Sequence, residues 1–197
     1  GIAERTHEYV ATKMKEGKLM TSSVHPSSSS STSFTVRELC LAAVMAAVVF
    51  LATFVPRIPI PLGYAHLGDA AIFLMVLFLG RRETLIAACF GSALSDLLGG
   101  FPLWIVPTII IKYFMADIAW RVIRPDQRHA SLTRLVVGFL PASAWMAAAY
   151  TLFGAMLYDS LAAGLASAPG LIAEGVLNSA IAIVAAGILQ KTPLGRR

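Results

Sequence analysis

From residue 37 onward the chain alternates long apolar runs with short polar or turn-rich connectors. The runs cover residues 39–55, 67–80, 84–98, 103–122, 135–157 and 171–189. Pro56 ends the first, Gly99 and Gly100 end the third, and Pro141 bends the fifth near its start. A membrane-crossing helix needs about 20 apolar residues, about 17–25 in practice. Runs two and three fall short, so their flanks must contribute or the bilayer must thin locally. The pattern predicts an all-α, polytopic membrane protein with six transmembrane helices.

Basic residues orient it. Arg37 precedes the first run, and Arg81 and Arg82 separate the second from the third. Arg121, Arg124, Arg128 and Arg134 lie between the fourth and fifth, and Lys191, Arg196 and Arg197 follow the last. The other three connectors, "PRIPIPLGYAH", "GGFP" and "YDSLAAGLASAP", hold only Arg57. Positive residues stay inside, so both termini are expected in the cytoplasm.

Residues 1–35 differ in kind. "MTSSVHPSSSSSTS", opening at Met20, is Ser-rich and cannot bury a core. Residues 1–19 are either native or an extension before Met20, and neither piece has the layout of a cleaved signal peptide. The expected organisation is a disordered tail over 1–35, a membrane domain over 36–191 and a basic tail over 192–197.

Composition agrees with a membrane protein: 57% of residues are hydrophobic and 14% charged, with mean hydropathy +0.72, against about 25% charge in soluble domains. The pI near 9.5 reflects the basic connectors rather than a nucleic-acid surface. Cys40 and Cys89 sit in apolar runs without disulfide or metal spacing and read as packing residues.

Polar groups inside the apolar runs carry the functional signal. With the topology above, His66 and Asp69, then Asp96, Trp104, Glu174 and Asn178, fall in the outer half of the membrane, with Lys112 about mid-span. Glu174 and Asn178 share a helix face. Only Asp117 lies deeper. An ionisable residue in hydrocarbon costs at least about 2.5–3.5 kcal/mol and usually faces a cavity or a partner. The alternatives are a substrate site at one depth and a structural ion-pair network that pins helices. Asp69 is expected to face a water-accessible pocket, accepting hydrogen bonds from a ligand or from Lys112. Residues 56–61 hold Pro56, Pro59 and Pro61, so this connector is either a lid over a cavity or a rigid tie.

The first run carries Ala42-xxx-Ala46 and Ala43-xxx-Ala47, small residues at helix-docking spacing, as are Gly91-xxx-Ser95 and Gly175-xxx-Ser179. There is no Walker motif, no HExxH and no GxSxG with a partnered His.

The runs "IPIPLGYAHLGDAAIFL" and "GSALSDLLGGFPLWIVPTIIIK", the six spans and the alanine spacing resemble the S components of energy-coupling factor (ECF) vitamin transporters, over about residues 37–190. The resemblance is nearest to members for riboflavin, pyridoxine-type vitamers and hydroxymethylpyrimidine. It implies a substrate-binding subunit of a bacterial plasma-membrane importer, with a pocket near the outer face under the first connector. Ala42, Ala43, Ala46 and Ala47 would pack on a transmembrane coupling subunit that carries two cytoplasmic ATPases, and the S component would topple in the membrane to release substrate inside. The chain would need no cofactor of its own, ATP being used by the partner ATPases. The expected site is His66, Asp69, Asp96, Trp104, Lys112, Glu174 and Asn178, without catalytic or metal-binding residues. A B6 vitamer or hydroxymethylpyrimidine is the expected substrate, with riboflavin next. The competing classes are an intramembrane enzyme, using Ser92, Ser95 or Asp96, and a non-catalytic scaffold.

Overall fold

The computed structural model of the chain describes residues 34–123 and 130–192. Within these lie helices α1 (Val36–Phe54), α2 (Gly68–Phe78), α3 (Arg81–Gly99), α4 (Ile105–Ile123), α5 (Leu132–Leu157) and α6 (Leu161–Leu189). A hairpin of β1 (Ile58–Ile60) and β2 (Gly63–Ala65) joins α1 to α2, and a short 3-10 turn, Pro102–Trp104, leads into α4. Residues 1–33 of the Ser-rich tail, Arg124, Arg128 and residues 193–197 of the basic tail fall outside the described residues.

Helix α1 opens with a capping box. The Thr35 hydroxyl accepts the Glu38 N–H at 3.2 Å, and the Glu38 carboxylate accepts the Thr35 N–H at 2.8 Å. Beyond the C-cap Val55, Pro56 cannot continue the helix.

The hairpin departs from the expected all-α fold. Ile58 pairs with Ala65, Pro59 with Tyr64 and Ile60 with Gly63. Prolines fix φ and remove N–H donors, which suits a two-stranded ribbon made only of edges. At the turn Pro61 is followed by Leu62 at φ 65°, the arrangement of a type II turn. A left-handed Leu costs about 1–2 kcal/mol, so the turn is strained.

Helix α2 also differs from a spanning segment. Its 11 residues reach about 16 Å at 1.5 Å per residue, about half the hydrocarbon thickness. Instead it fills the centre of the bundle, packed on α1, α3, α4 and α6. Ile72, Phe73 and Val76 are fully buried, and Phe73 stacks on Phe139 of α5 with ring centroids 4.5 Å apart. Four helical segments are long and apolar enough to cross a membrane: α1, Pro102–Ile123, α5 and α6. Helix α3 is long enough, but it carries Arg81, Arg82, Glu83 and Asp96.

Helix α6 begins ten residues before the expected 171, so residues 161–170 of the supposed connector are helical and the turn shrinks to 158–160. The Ser160 hydroxyl caps α6 by accepting the Ala163 N–H at 3.2 Å. Leu and Ala then favour helix. Gly164 lets α5 approach closely: a Cβ there would stand 2.7 Å from the Thr151 carbonyl oxygen.

The alanines of α1 divide by face. Ala42 is buried and Ala46 half-buried. The Ala46 carbonyl abuts Gly91 of α3, where a Cβ would meet it at 2.5 Å. Ala43 and Ala47 face outward.

Two carboxylates are bound to cations. Asp69, in the first turn of α2, is ion-paired with Lys112 of α4, each side chain only 1% exposed. Asp117 of α4 accepts from Arg81 Nε at 2.8 Å and from Arg121 Nε at 2.7 Å. Removing one partner of a buried pair strands the other charge. Lys112→Met is therefore expected to destabilise the fold by about 3–5 kcal/mol, and adding Asp69→Asn to recover most of that loss. Unfolding of detergent-solubilised protein measures both; equal losses in the single and double variants would contradict it.

Candidate functional site

One end of the bundle holds a cavity of about 490 Å3, open solvent at its mouth included. The hairpin forms one wall through Ile60, Pro61, Leu62, Gly63 and Tyr64. The remaining walls come from His66, from Asp96 of α3, from Phe101, Trp104 and Thr108 at the start of α4, from Tyr150 of α5, and from Ser167, Leu171 and Glu174 of α6.

The elements place these groups for local reasons. Gly100, at φ 86°, ends α3 in a left-handed C-cap, so Asp96 falls in the last turn and Phe101 turns back toward Tyr64. The rings of Tyr64 and Phe101 lie 5.4 Å apart, and those of Trp104 and Tyr150 5.6 Å apart. The cavity thus has two aromatic pairs in its walls. The Trp104 indole N–H donates to the Tyr158 hydroxyl at 3.3 Å, and the Thr108 and Tyr150 hydroxyls bond at 3.0 Å. These ring-borne polar tips are satisfied within the protein.

Two carboxylates of the cavity wall are not fully satisfied. The Tyr64 hydroxyl donates to Asp96 Oδ1 at 3.4 Å and lies 3.2 Å from Ser95 Oγ, whereas Asp96 Oδ2 is buried without a partner. Glu174 Oε1 lies 3.1 Å from His66 Nδ1, but that nitrogen takes the Gly68 N–H at 3.2 Å. The Nδ1 lone pair of His66 is used by the Gly68 N–H. Glu174 Oε1 therefore has no donor from the protein. A buried acceptor without a donor is costly, and both oxygens are free to receive hydrogen bonds from a bound molecule. No Lys or Arg lines the cavity among the described residues.

Of the residues expected at the site, His66, Asp96, Trp104 and Glu174 line the cavity. Asp69, Lys112 and Asn178 do not. The expected water-accessible Asp69 is instead enclosed with Lys112, because a pair that neutralises itself needs no solvent. Lys112 touches the site only indirectly, its Nζ lying 5.3 Å from the centre of the Tyr150 ring. Asn178 is a clamp. Its Nδ2 donates to the carbonyls of His66 at 2.8 Å and Glu174 at 2.9 Å, and its Oδ1 accepts the Ala70 N–H at 2.8 Å. It fixes the backbone on which His66 and Glu174 meet.

Sequence reasoning missed Tyr64, Phe101, Thr108, Tyr150 and Ser167. Tyr150 had a usable signal: a tyrosine well inside an apolar run must find a partner for its hydroxyl.

A stretch of 66 residues is 39% identical to a protein of Pyrococcus woesei described as an uncharacterised protein in the gap 3′ region, covering 32% of this chain and 44% of that protein. The chain thus spans less than half the length of that curated relative. Residues 33–194 match the family described as ECF-type riboflavin transporter, S component. That match takes in every helix and every residue of the cavity, and the chain belongs to the S components of ECF-type transporters, a family of vitamin-binding membrane subunits rather than of enzymes.

Proposed function

We propose that this chain captures riboflavin from outside the cell, in the cavity beneath the hairpin, for ATP-driven uptake. A transmembrane coupling subunit and two cytoplasmic ATPases would supply the energy. In this reading the bundle lies in the plasma membrane with both termini cytoplasmic and the hairpin end outward. Six crossings follow if α3 crosses with its charged end at the surface and buried α2 completes its passage through its flanks.

The observation that carries the substrate is the pairing of aromatic walls with two donor-less carboxylate oxygens, in a member of a family described by riboflavin. A flavin ring offers a wide face to Trp104 and Tyr150. Its ring N–H and the hydroxyls of its sugar-alcohol chain are donors for Asp96 Oδ2 and Glu174 Oε1. Pyridoxine and hydroxymethylpyrimidine carry similar donors on one small ring and would leave more of the aromatic wall uncovered. The family description, rather than the size of any single polar group, moves the preference from these to riboflavin.

Titration calorimetry with the three vitamins tests the assignment. Riboflavin is expected to bind at least about a hundredfold more tightly than the other two, near 2.7 kcal/mol. A tighter pyridoxine or hydroxymethylpyrimidine would reverse the substrate. Asp96→Asn and Glu174→Gln should each weaken vitamin binding about tenfold, near 1.4 kcal/mol, with the fold intact. Unchanged affinity in both would remove these carboxylates from the site.

The outward faces of Ala43 and Ala47 make a smooth stripe suited to close helix packing with the coupling subunit. Ala43→Trp or Ala47→Trp is expected to abolish uptake by the assembled transporter. Vitamin affinity of the isolated chain should shift by less than about 1 kcal/mol, since the sites share no partner. Uptake that survives both substitutions would place the docking face elsewhere.

A further inference from the structure

Glycine inside a helix is unfavourable relative to alanine, so each one retained invites a physical reason. Gly99, Gly154 and Gly170 lie near the cavity end on α3, α5 and α6. None is there for backbone conformation, because Gly100 alone among the described glycines has positive φ. What they share is the hairpin segment. A Cβ on Gly170 would stand 2.8 Å from Ile60 Cγ2 and 3.1 Å from Ile60 Cβ. On Gly154 it would stand 3.0 Å from Leu62 Cδ1, and on Gly99 2.6 Å from Arg57 Nη2. Three helices thus each leave a hollow for one side chain of the segment that walls the cavity. By contrast, a Cβ on Gly187, also in α6, would meet nothing within 4 Å.

We infer that Gly154 and Gly170 are sockets that hold the hairpin closed over the cavity and so set how long a ligand is retained. This rests on the reading of the cavity as the vitamin site. The two glycines act through the hairpin and are positioning residues, since neither lines the cavity.

The contacts differ in what they can absorb. Ile60 is β-branched and stiff at χ1, and its contact with Gly170 is at the stem of the side chain. A methyl group there cannot be accommodated by a swing of the side-chain end; the strand itself must lift. Leu62 meets Gly154 with the end of its side chain, and Arg57 meets Gly99 with its guanidinium, so these have more freedom. Arg57 is further held by rings, its guanidinium carbon lying 4.0 Å from the Phe54 centroid and 4.5 Å from that of Tyr64. The effect of glycine-to-alanine substitution should therefore fall in the order Gly170, Gly154, Gly99.

The test uses the full chain in detergent or nanodiscs, with riboflavin release followed by flavin fluorescence in stopped flow. Hairpin hydrogen exchange is followed separately in ligand-free protein. Gly170→Ala is expected to speed release about tenfold and to raise exchange of the hairpin amides. Gly187→Ala, which adds the same methyl to the same helix in open space, should change neither. In an Ile60→Ala background, Gly170→Ala should alter release by less than about twofold, because the nearest colliding atom, Cγ2 at 2.8 Å, is gone and only the 3.1 Å Cβ contact remains. Wild-type release from Gly170→Ala overturns the inference, as does an equal effect from Gly187→Ala or an effect that persists without the Ile60 side chain. Should riboflavin fail to bind the wild type, the vitamin assignment falls, and hairpin exchange still decides the sockets: unchanged exchange in Gly170→Ala overturns them.

Discussion

A charge enclosed in an apolar bundle must be neutralised by a neighbour, and the Asp69–Lys112 pair meets this condition at the centre of the fold. Asp69 sits in the first turn of α2, where the helix N-terminus also favours a negative charge. Pairing it with Lys112 fixes the start of the central helix against α4. From that point Asn178 ties the same turn to α6, through the Ala70 N–H on one side and the His66 and Glu174 carbonyls on the other. The cavity wall made by His66 and Glu174 therefore depends on an ion pair that never reaches the cavity. Tyr150 links the two layers, with Lys112 over its ring and its own face in the cavity wall.

Much of this was visible in the sequence, for identifiable reasons. Apolar runs located all six helices, because hydrocarbon and bundle interior both select against charge. The same fact hid the role of α2: a run that is apolar all round reads alike whether lipid or protein surrounds it. Residues 161–170 lie before the last strongly apolar run and contain Pro169 and several small residues, so hydropathy alone does not mark them as helix. A helix continues through them because α5 lies close enough to pair with it. The prolines of the first connector gave its extended character but not its partner strand, since register depends on the Leu62 turn.

At the site, shared depth located the right polar residues and could not sort them. His66, Asp69, Asp96, Lys112, Glu174 and Asn178 all belong to one connected layer. Which of them face open space depends on helix rotation and on pairing, and neither is written in one-dimensional spacing. Lys112 neutralises Asp69 through one oxygen and does not reach Asp96 or Glu174, each of which keeps an unpartnered oxygen at the cavity. The alanines of α1 show the same limit: two overlapping pairs at equal spacing divide into an inner face closed against Gly91 and an outer face left open.

The turn at residues 158–160 has a mechanical consequence. With so little chain between them, and with Gly164 set against the Thr151 carbonyl, α5 and α6 form a paired strut with little slack at its vertex. The strut supplies Tyr150, Ser167, Leu171 and Glu174 to the cavity as a fixed half-mould. The longer connector, residues 55–67, forms another wall and rests on this strut at Gly154 and Gly170. Compliance in this molecule is accordingly one-sided, and a ligand of changed shape would be accommodated by the ribbon before the strut yields.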